Sequence, residues 1–92
     1  MITAYELKRL IGKVNIIDIR DSYSYNKESI PTSKHINYME LMVNPEKYLN
    51  INEEYYIYCA HGFNSRKVCN YLLQKGYKVK DLEGGYTSYL NS

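Results

Sequence analysis

The chain alternates between two kinds of hydrophobic pattern. Short runs of apolar and β-branched or aromatic residues, four to seven long, are separated by segments whose apolar positions recur every three or four residues. "VNIIDIR" and "EEYYIYCA" are runs of the first kind and predict buried strands, the first ending near Asp18. "YKVKDLEGG" begins with strict alternation and predicts a third strand, and "KHINY" predicts a short one. Helical spacing comes between them. In "AYELKRLIG" Leu7, Leu10 and Ile11 share a face; Thr3 and Glu6 form a capping box before it, and Gly12 can end it. "DSYSYNKESIP" reads as a turn with a short helix stopped before Pro31, and "NYMELMVNPEKYL" as a helical segment broken near Pro45. "SRKVCNYLLQKG" predicts a helix with Ser65 as N-cap, Val68, Cys69, Leu72 and Leu73 on one face, and Gly76 at its end. "GYTSYLNS" closes the chain as a short helix or tail.

Strands that alternate with helices predict an α/β fold: a small central parallel sheet flanked by helices on both sides. Ninety-two residues suit a single domain, 1–92, with a modest core. There are no repeats, linkers or low-complexity tracts. The net charge of +2 comes from lysines scattered among acids, which argues against a nucleic-acid partner. No apolar run approaches the ~20 residues of a membrane span, and the N-terminus lacks the apolar core and cleavage site of a signal peptide. These features predict a cytoplasmic protein with no membrane partner. Its two cysteines are then expected to be free thiols. Cys59 and Cys69 with His35 and His61 lack metal-ligand spacing, so no metal and no cofactor are expected. Twelve tyrosines and no tryptophan suit half-buried faces with a wet hydroxyl edge.

The candidate chemistry lies in "YIYCAHGFNSRKVCNYLLQKGY". Cys59 ends a strand, and a glycine-containing loop and a helix start follow it at once. In parallel α/β sheets the chemistry sits at the carboxyl ends of strands, beside helix N-termini. Backbone N–H groups converge there and the helix dipole is positive, so a thiolate is stabilised and becomes nucleophilic. Gly62 lets the loop curl and keeps a side chain out of it. Spacing alone leaves two readings of Cys59 open, a reactive nucleophile or a small buried filler. Cys69, on the apolar helix face, reads as a core residue.

Four segments in order carry a resemblance to the rhodanese-like (sulfurtransferase) domain in its small single-domain form. "IIDIRDSYSY" is similar to the family's Asp-x-Arg segment, giving Asp18 and Arg20. "IPTSKHIN" is similar to the stretch after its Gly-His-Ile-Pro motif, with Glu28-Ser29 in place of Gly-His. The cysteine segment is similar to the active-site strand, six-residue loop and helix. "DLEGGYTSYL" is similar to the closing Leu-x-Gly-Gly segment, with Tyr89 where tryptophan is frequent. The resemblance implies transfer of a sulfane sulfur from thiosulfate or a persulfide to a thiol or cyanide acceptor, with a sulfur-relay protein as a further potential partner. It makes Cys59 the nucleophile that carries the persulfide. It makes Ala60, His61, Gly62, Phe63, Asn64 and Ser65 the loop that binds it. The family loop commonly reads Cys-x-x-Gly-x-Arg-Ser; Gly62 and Ser65 match it, and Asn64 stands in the arginine place. That departure points to weak use of thiosulfate or to a less anionic donor, because asparagine offers only neutral hydrogen bonds. It also keeps open a binding or regulatory module of the same fold with little or no transfer activity. A phosphatase loop, Cys-x5-Arg, fits less well, since the sixth residue after Cys59 is Ser65 and Arg66 follows it.

Overall fold

The computed structural model describes residues 1–92. Four strands, β1 (Asn15–Asp18), β2 (Lys34–His35), β3 (Glu54–Tyr58) and β4 (Lys78–Asp81), form one sheet in the order β2-β1-β3-β4. All neighbouring pairs are parallel, with Ile17 opposite Lys34 and Ile57, and Ile57 opposite Asp81. The sheet gains one further parallel bridge, Ile2 to Leu82, closed by Ile2 N–H to the Asp81 carbonyl (2.9 Å) and Glu83 N–H to the Ile2 carbonyl (2.8 Å). The sequence pattern shows no sign of this bridge, because one residue has no period.

Six helices complete the chain: α1 (Ala4–Lys8), α2 (Ser22–Lys27), α3 (Tyr38–Val43), α4 (Pro45–Tyr48), α5 (Phe63–Gln74) and α6 (Gly85–Leu90). The Thr3–Glu6 capping box is formed in both directions. Asp21 and Asn37 cap α2 and α3, and Pro45 opens α4 at a position that needs no N–H. α1 ends earlier than expected, at Lys8; a run of turns carries the chain past Gly12 to β1.

Strand side chains alternate between two faces, and both are buried, which is why β1 and β3 read as near-continuous apolar runs. One face carries Ile17, Tyr55, Ile57 and Val79 against Leu41, Leu49, Val68, Cys69 and Leu72 from α3 to α5. The other carries Ile16, Tyr56 and Tyr58 against Ala4 and Leu7 of α1, Ile30, and Tyr86 of α6. Burying Val68 and Leu72 completely contributes about 1.5–3 kcal/mol each, and this anchors α5 to the sheet. Leu73 departs from the expectation: it is 51% exposed, because the apolar stripe of α5 advances by three and four residues, from Val68 and Cys69 to Leu72, and turns Leu73 outward.

The chain leaves β1 toward β2 on one side and adds β3 and β4 on the other. The strand order therefore switches between β1 and β3, and the crevice of a parallel sheet opens at such a switch, beyond the carboxyl ends of the strands.

Candidate functional site

Beyond the carboxyl end of β3 stands Cys59, 5% exposed. The chain turns at once, with Gly62 in the left-handed region (φ +98°), and α5 begins at Phe63. The helix thus starts three residues earlier than the sequence suggests. Gly62, not Ser65, is the N-cap, and Ser65 lies in the first turn, fully buried, where its main chain and hydroxyl both turn to the sulfur. Gly62 N–H and Ser65 N–H donate to Cys59 Sγ at 3.1 and 3.3 Å. The thiol in turn reaches Ser65 Oγ at 3.5 Å, and that hydroxyl donates to the Gly62 carbonyl at 3.4 Å. A hydroxyl rotates freely, so it can redirect its proton to a charged sulfur.

The remaining loop amides matter as much. Those of Ala60, His61, Phe63 and Asn64 donate to no group of the protein. All four belong to exposed residues, and Phe63 and Asn64 open α5, where N–H groups have no partner within the helix, so they are open to water or to a ligand in the depression. Cys59, Ala60, His61, Phe63 and Asn64 line a shallow depression of about 210 Å³ over the sulfur. Of the predicted site residues, all seven are therefore brought together. Gly62 and Ser65 form the floor with Cys59, and the other four form the rim. Phe63 is 75% exposed. His61 is exposed too, but it is not free: its Nδ1 lies 3.1 Å from Thr87 Oγ1.

The loop's carbonyls face the opposite way. Tyr86 N–H donates to the Cys59 carbonyl (2.8 Å) and Thr87 N–H to that of Ala60 (3.1 Å). The start of α6 thus fixes the peptide planes so that the N–H edges are left for the sulfur side. The approach is close: a Cβ on Gly85 would stand 2.6 Å from the Cys59 carbonyl oxygen and 2.7 Å from Ala60 C and O. Gly84 to Thr87 lie outside the site that the sequence predicts. The only local signal was the glycine doublet after the last strand.

A second layer sits behind Tyr86. Asp18, fully buried at the end of β1, accepts from Arg20 N–H (2.8 Å), Nε (3.0 Å) and Nη2 (2.7 Å), and Arg20 Nη2 also donates to the Glu28 carbonyl (2.6 Å). The guanidinium lies over the Tyr86 ring, 4.2 Å from its centroid, and Tyr86 stacks on Tyr58. Burial raises the Tyr58 phenol far above its ordinary value, so it stays neutral and holds Ile30 N–H (3.1 Å) and Ser33 Oγ (3.3 Å). Asp18 and Arg20 therefore act through Tyr86 on the loop without touching the sulfur. Cys69 is 2% exposed in the core; burial, then the nearby Asp81 charge, pushes its thiol up to about 12, so it stays protonated.

A parallel four-stranded sheet with a buried cysteine at its switch point, its sulfur facing two backbone N–H groups of the loop that follows, defines a small α/β domain. The chain belongs to the rhodanese-like domain family, whose model matches residues 3–92. It is similar to the thiosulfate sulfurtransferase GlpE of Coxiella burnetii, 32% identical over 91 residues that cover 96% of this chain and 84% of that protein. Among solved structures it is similar to a rhodanese-related protein from Thermoplasma volcanium (TM-score 0.88, 31% identity, 98% of this chain and 89% of that one). It is also similar to a rhodanese-like domain protein from Staphylococcus aureus (TM-score 0.86, 34% identity, 96% and 88%). No helix is long and apolar enough to cross a membrane.

Proposed function

We propose that this chain is a sulfurtransferase that carries a sulfane sulfur as a persulfide on Cys59. The donor is thiosulfate or a persulfide, and the acceptor is cyanide or a thiol, including the thiol of a sulfur-relay protein. The observation that carries the reading is the set of six loop amides: two on Sγ, and four with no acceptor in the fold.

In the first step the Cys59 thiolate attacks the outer sulfur of the donor. With thiosulfate, the S–S bond of the donor breaks as the new one forms, and sulfite leaves with the electron pair. Gly62 N–H and Ser65 N–H hold the thiolate before attack. Once the persulfide forms, negative charge moves one atom outward into the depression, where the rim amides of Ala60, His61, Phe63 and Asn64 are unengaged. Donors fixed where charge develops lower the barrier without reorganising during the reaction. In the second step the acceptor attacks the outer sulfur, and Cys59 leaves as the thiolate that the floor amides favour. Thiocyanate or a new persulfide departs. Asn64 brings no cation to the rim, so thiosulfate, with two charges, is served less well than a less anionic persulfide.

Intact mass after incubation with thiosulfate or an organic persulfide tests the reading. The expected result is a gain of one sulfur atom, lost on reduction and absent in Cys59→Ser. If no donor adds sulfur to the folded protein, the fold serves binding and not transfer.

A further inference from the structure

We propose that Thr87 positions His61 as the one ionisable anion-binding group of the sulfur site, so that preference for doubly charged over singly charged donors is set by His61 and falls as pH rises. This rests on the transfer reading above. Three observations carry it. First, the side chains lining the depression are Cys59, Ala60, His61, Phe63 and Asn64, and none is a lysine or arginine. His61 is the only one that can become a cation. Second, its ring is tied to another element. The Nδ1–Thr87 Oγ1 contact of 3.1 Å joins the loop after β3 to α6. Thr87 is itself fixed to the loop through its N–H on the Ala60 carbonyl at 3.1 Å. A residue bound at both its main chain and its hydroxyl makes a rigid anchor. Third, with Nδ1 engaged, Nε2 is the edge left free, and in the protonated ring it is a donor bearing positive charge.

Imidazole is the side chain whose ordinary charge change falls between about pH 5 and about pH 8. The neighbouring groups do not confuse the reading. Cys59 is the other titratable group in the depression. Arg66 and Lys67 follow on α5, Glu83 precedes α6, and Tyr86 and Tyr89 lie on it. Side chains of these last types keep one charge state between about pH 5.5 and about pH 8.5. Cys59 thiolate attacks any donor, so its titration cancels when two donors are compared at one pH.

The probes are thiosulfate, a dianion that loses sulfite, and benzenethiosulfonate, a monoanion that loses benzenesulfinate. Each gives the same persulfide on Cys59. The ratio of their kcat/KM values, thiosulfate over thiosulfonate, is measured from about pH 5.5 to about pH 8.5. It should fall about threefold to tenfold as pH rises, the span between a charged and a neutral hydrogen-bond partner. In His61→Asn the ratio should stay near the high-pH value throughout. Thr87→Val should flatten the profile, and Thr87→Ser, which restores the hydroxyl, should bring it back. A wild-type ratio that does not change with pH overturns the inference even if the variants fail to fold. So does a pH-dependent ratio that His61→Asn leaves intact. If neither donor adds sulfur to Cys59 by intact mass, the transfer reading itself falls, and this inference with it.

Discussion

Replacing Gly85 with alanine separates what the fold requires from what the loop requires. The added Cβ would stand 2.6 Å from the Cys59 carbonyl oxygen and 2.7 Å from Ala60 C and O, all backbone atoms. An ordinary contact is near 3.5 Å, so the loop and the start of α6 must part by several tenths of an ångström. Two costs add. Gly85 has φ +64°, a left-handed conformation that costs an L-residue about 1–2 kcal/mol. The displacement also weakens the Tyr86 and Thr87 N–H bonds to the Cys59 and Ala60 carbonyls, about 0.5–1.5 kcal/mol each. The sum is about 2–5 kcal/mol. Gly12 supplies the control. It has φ +87°, but a Cβ there meets nothing within 4 Å. Gly12→Ala should cost only the backbone part, about 1–2 kcal/mol, and leave sulfur transfer unchanged. Urea unfolding gives the stabilities, and thiosulfate:cyanide turnover gives the activity. Because the same carbonyls orient the loop amides, Gly85→Ala should also lower kcat/KM by about tenfold to a hundredfold while the protein is still folded. A Gly85→Ala protein that matches Gly12→Ala in both stability and turnover would refute the idea that α6 sets the loop.

Cys59→Ser should abolish sulfur loading, whereas Cys69→Ala should retain it and lose about 0.5–1.5 kcal/mol for one small buried group; equal loss of activity in the two folded variants would give Cys69 a relay role. Asn64→Arg should raise thiosulfate kcat/KM by about tenfold, since a charged partner exceeds a neutral one by about 1–1.5 kcal/mol, with much less effect on a neutral donor; unchanged thiosulfate kinetics in the folded variant would remove the missing charge as the limit. Stability should also fall at alkaline pH. The Cys69 thiol is raised by burial from 9.0 to about 12, so the unfolded chain releases this proton first and the fold binds more protons in between. The contribution is fully present below about pH 9 and is lost toward about pH 12, at about 1.4 kcal/mol per pH unit. Urea midpoints for wild type and Cys69→Ala should therefore converge and then cross as pH rises past about 10, because the loss outgrows the wild-type advantage within about one pH unit, and parallel curves would show that Cys69 is not desolvated in the fold.

The sequence by itself determined those features that depend on neighbours along the chain. The Thr3–Glu6 box, the apolar runs of β1 and β3, Pro45 between α3 and α4, and Cys59 at a strand end beside a helix start are local patterns, set by periodicity and capping chemistry. The resemblance of four short segments added the family, because their order and spacing survive where single residues such as Asn64 do not. Tertiary structure decided the rest. Leu73 has an apolar side chain and a helical position beside the stripe, yet the packing of Val68, Cys69 and Leu72 against the sheet leaves it on the outer side. Ser65 has the chemistry of an N-cap, but the sulfur behind it and the left-handed turn at Gly62 start the helix earlier and place Ser65 inside. Thr87 and Gly85 lie some 25 residues beyond the loop they hold, and Asp18 reaches that loop only through Arg20 and Tyr86. Such contacts arise from packing between elements distant in sequence, and no local period or propensity encodes which carbonyl a distant N–H will meet.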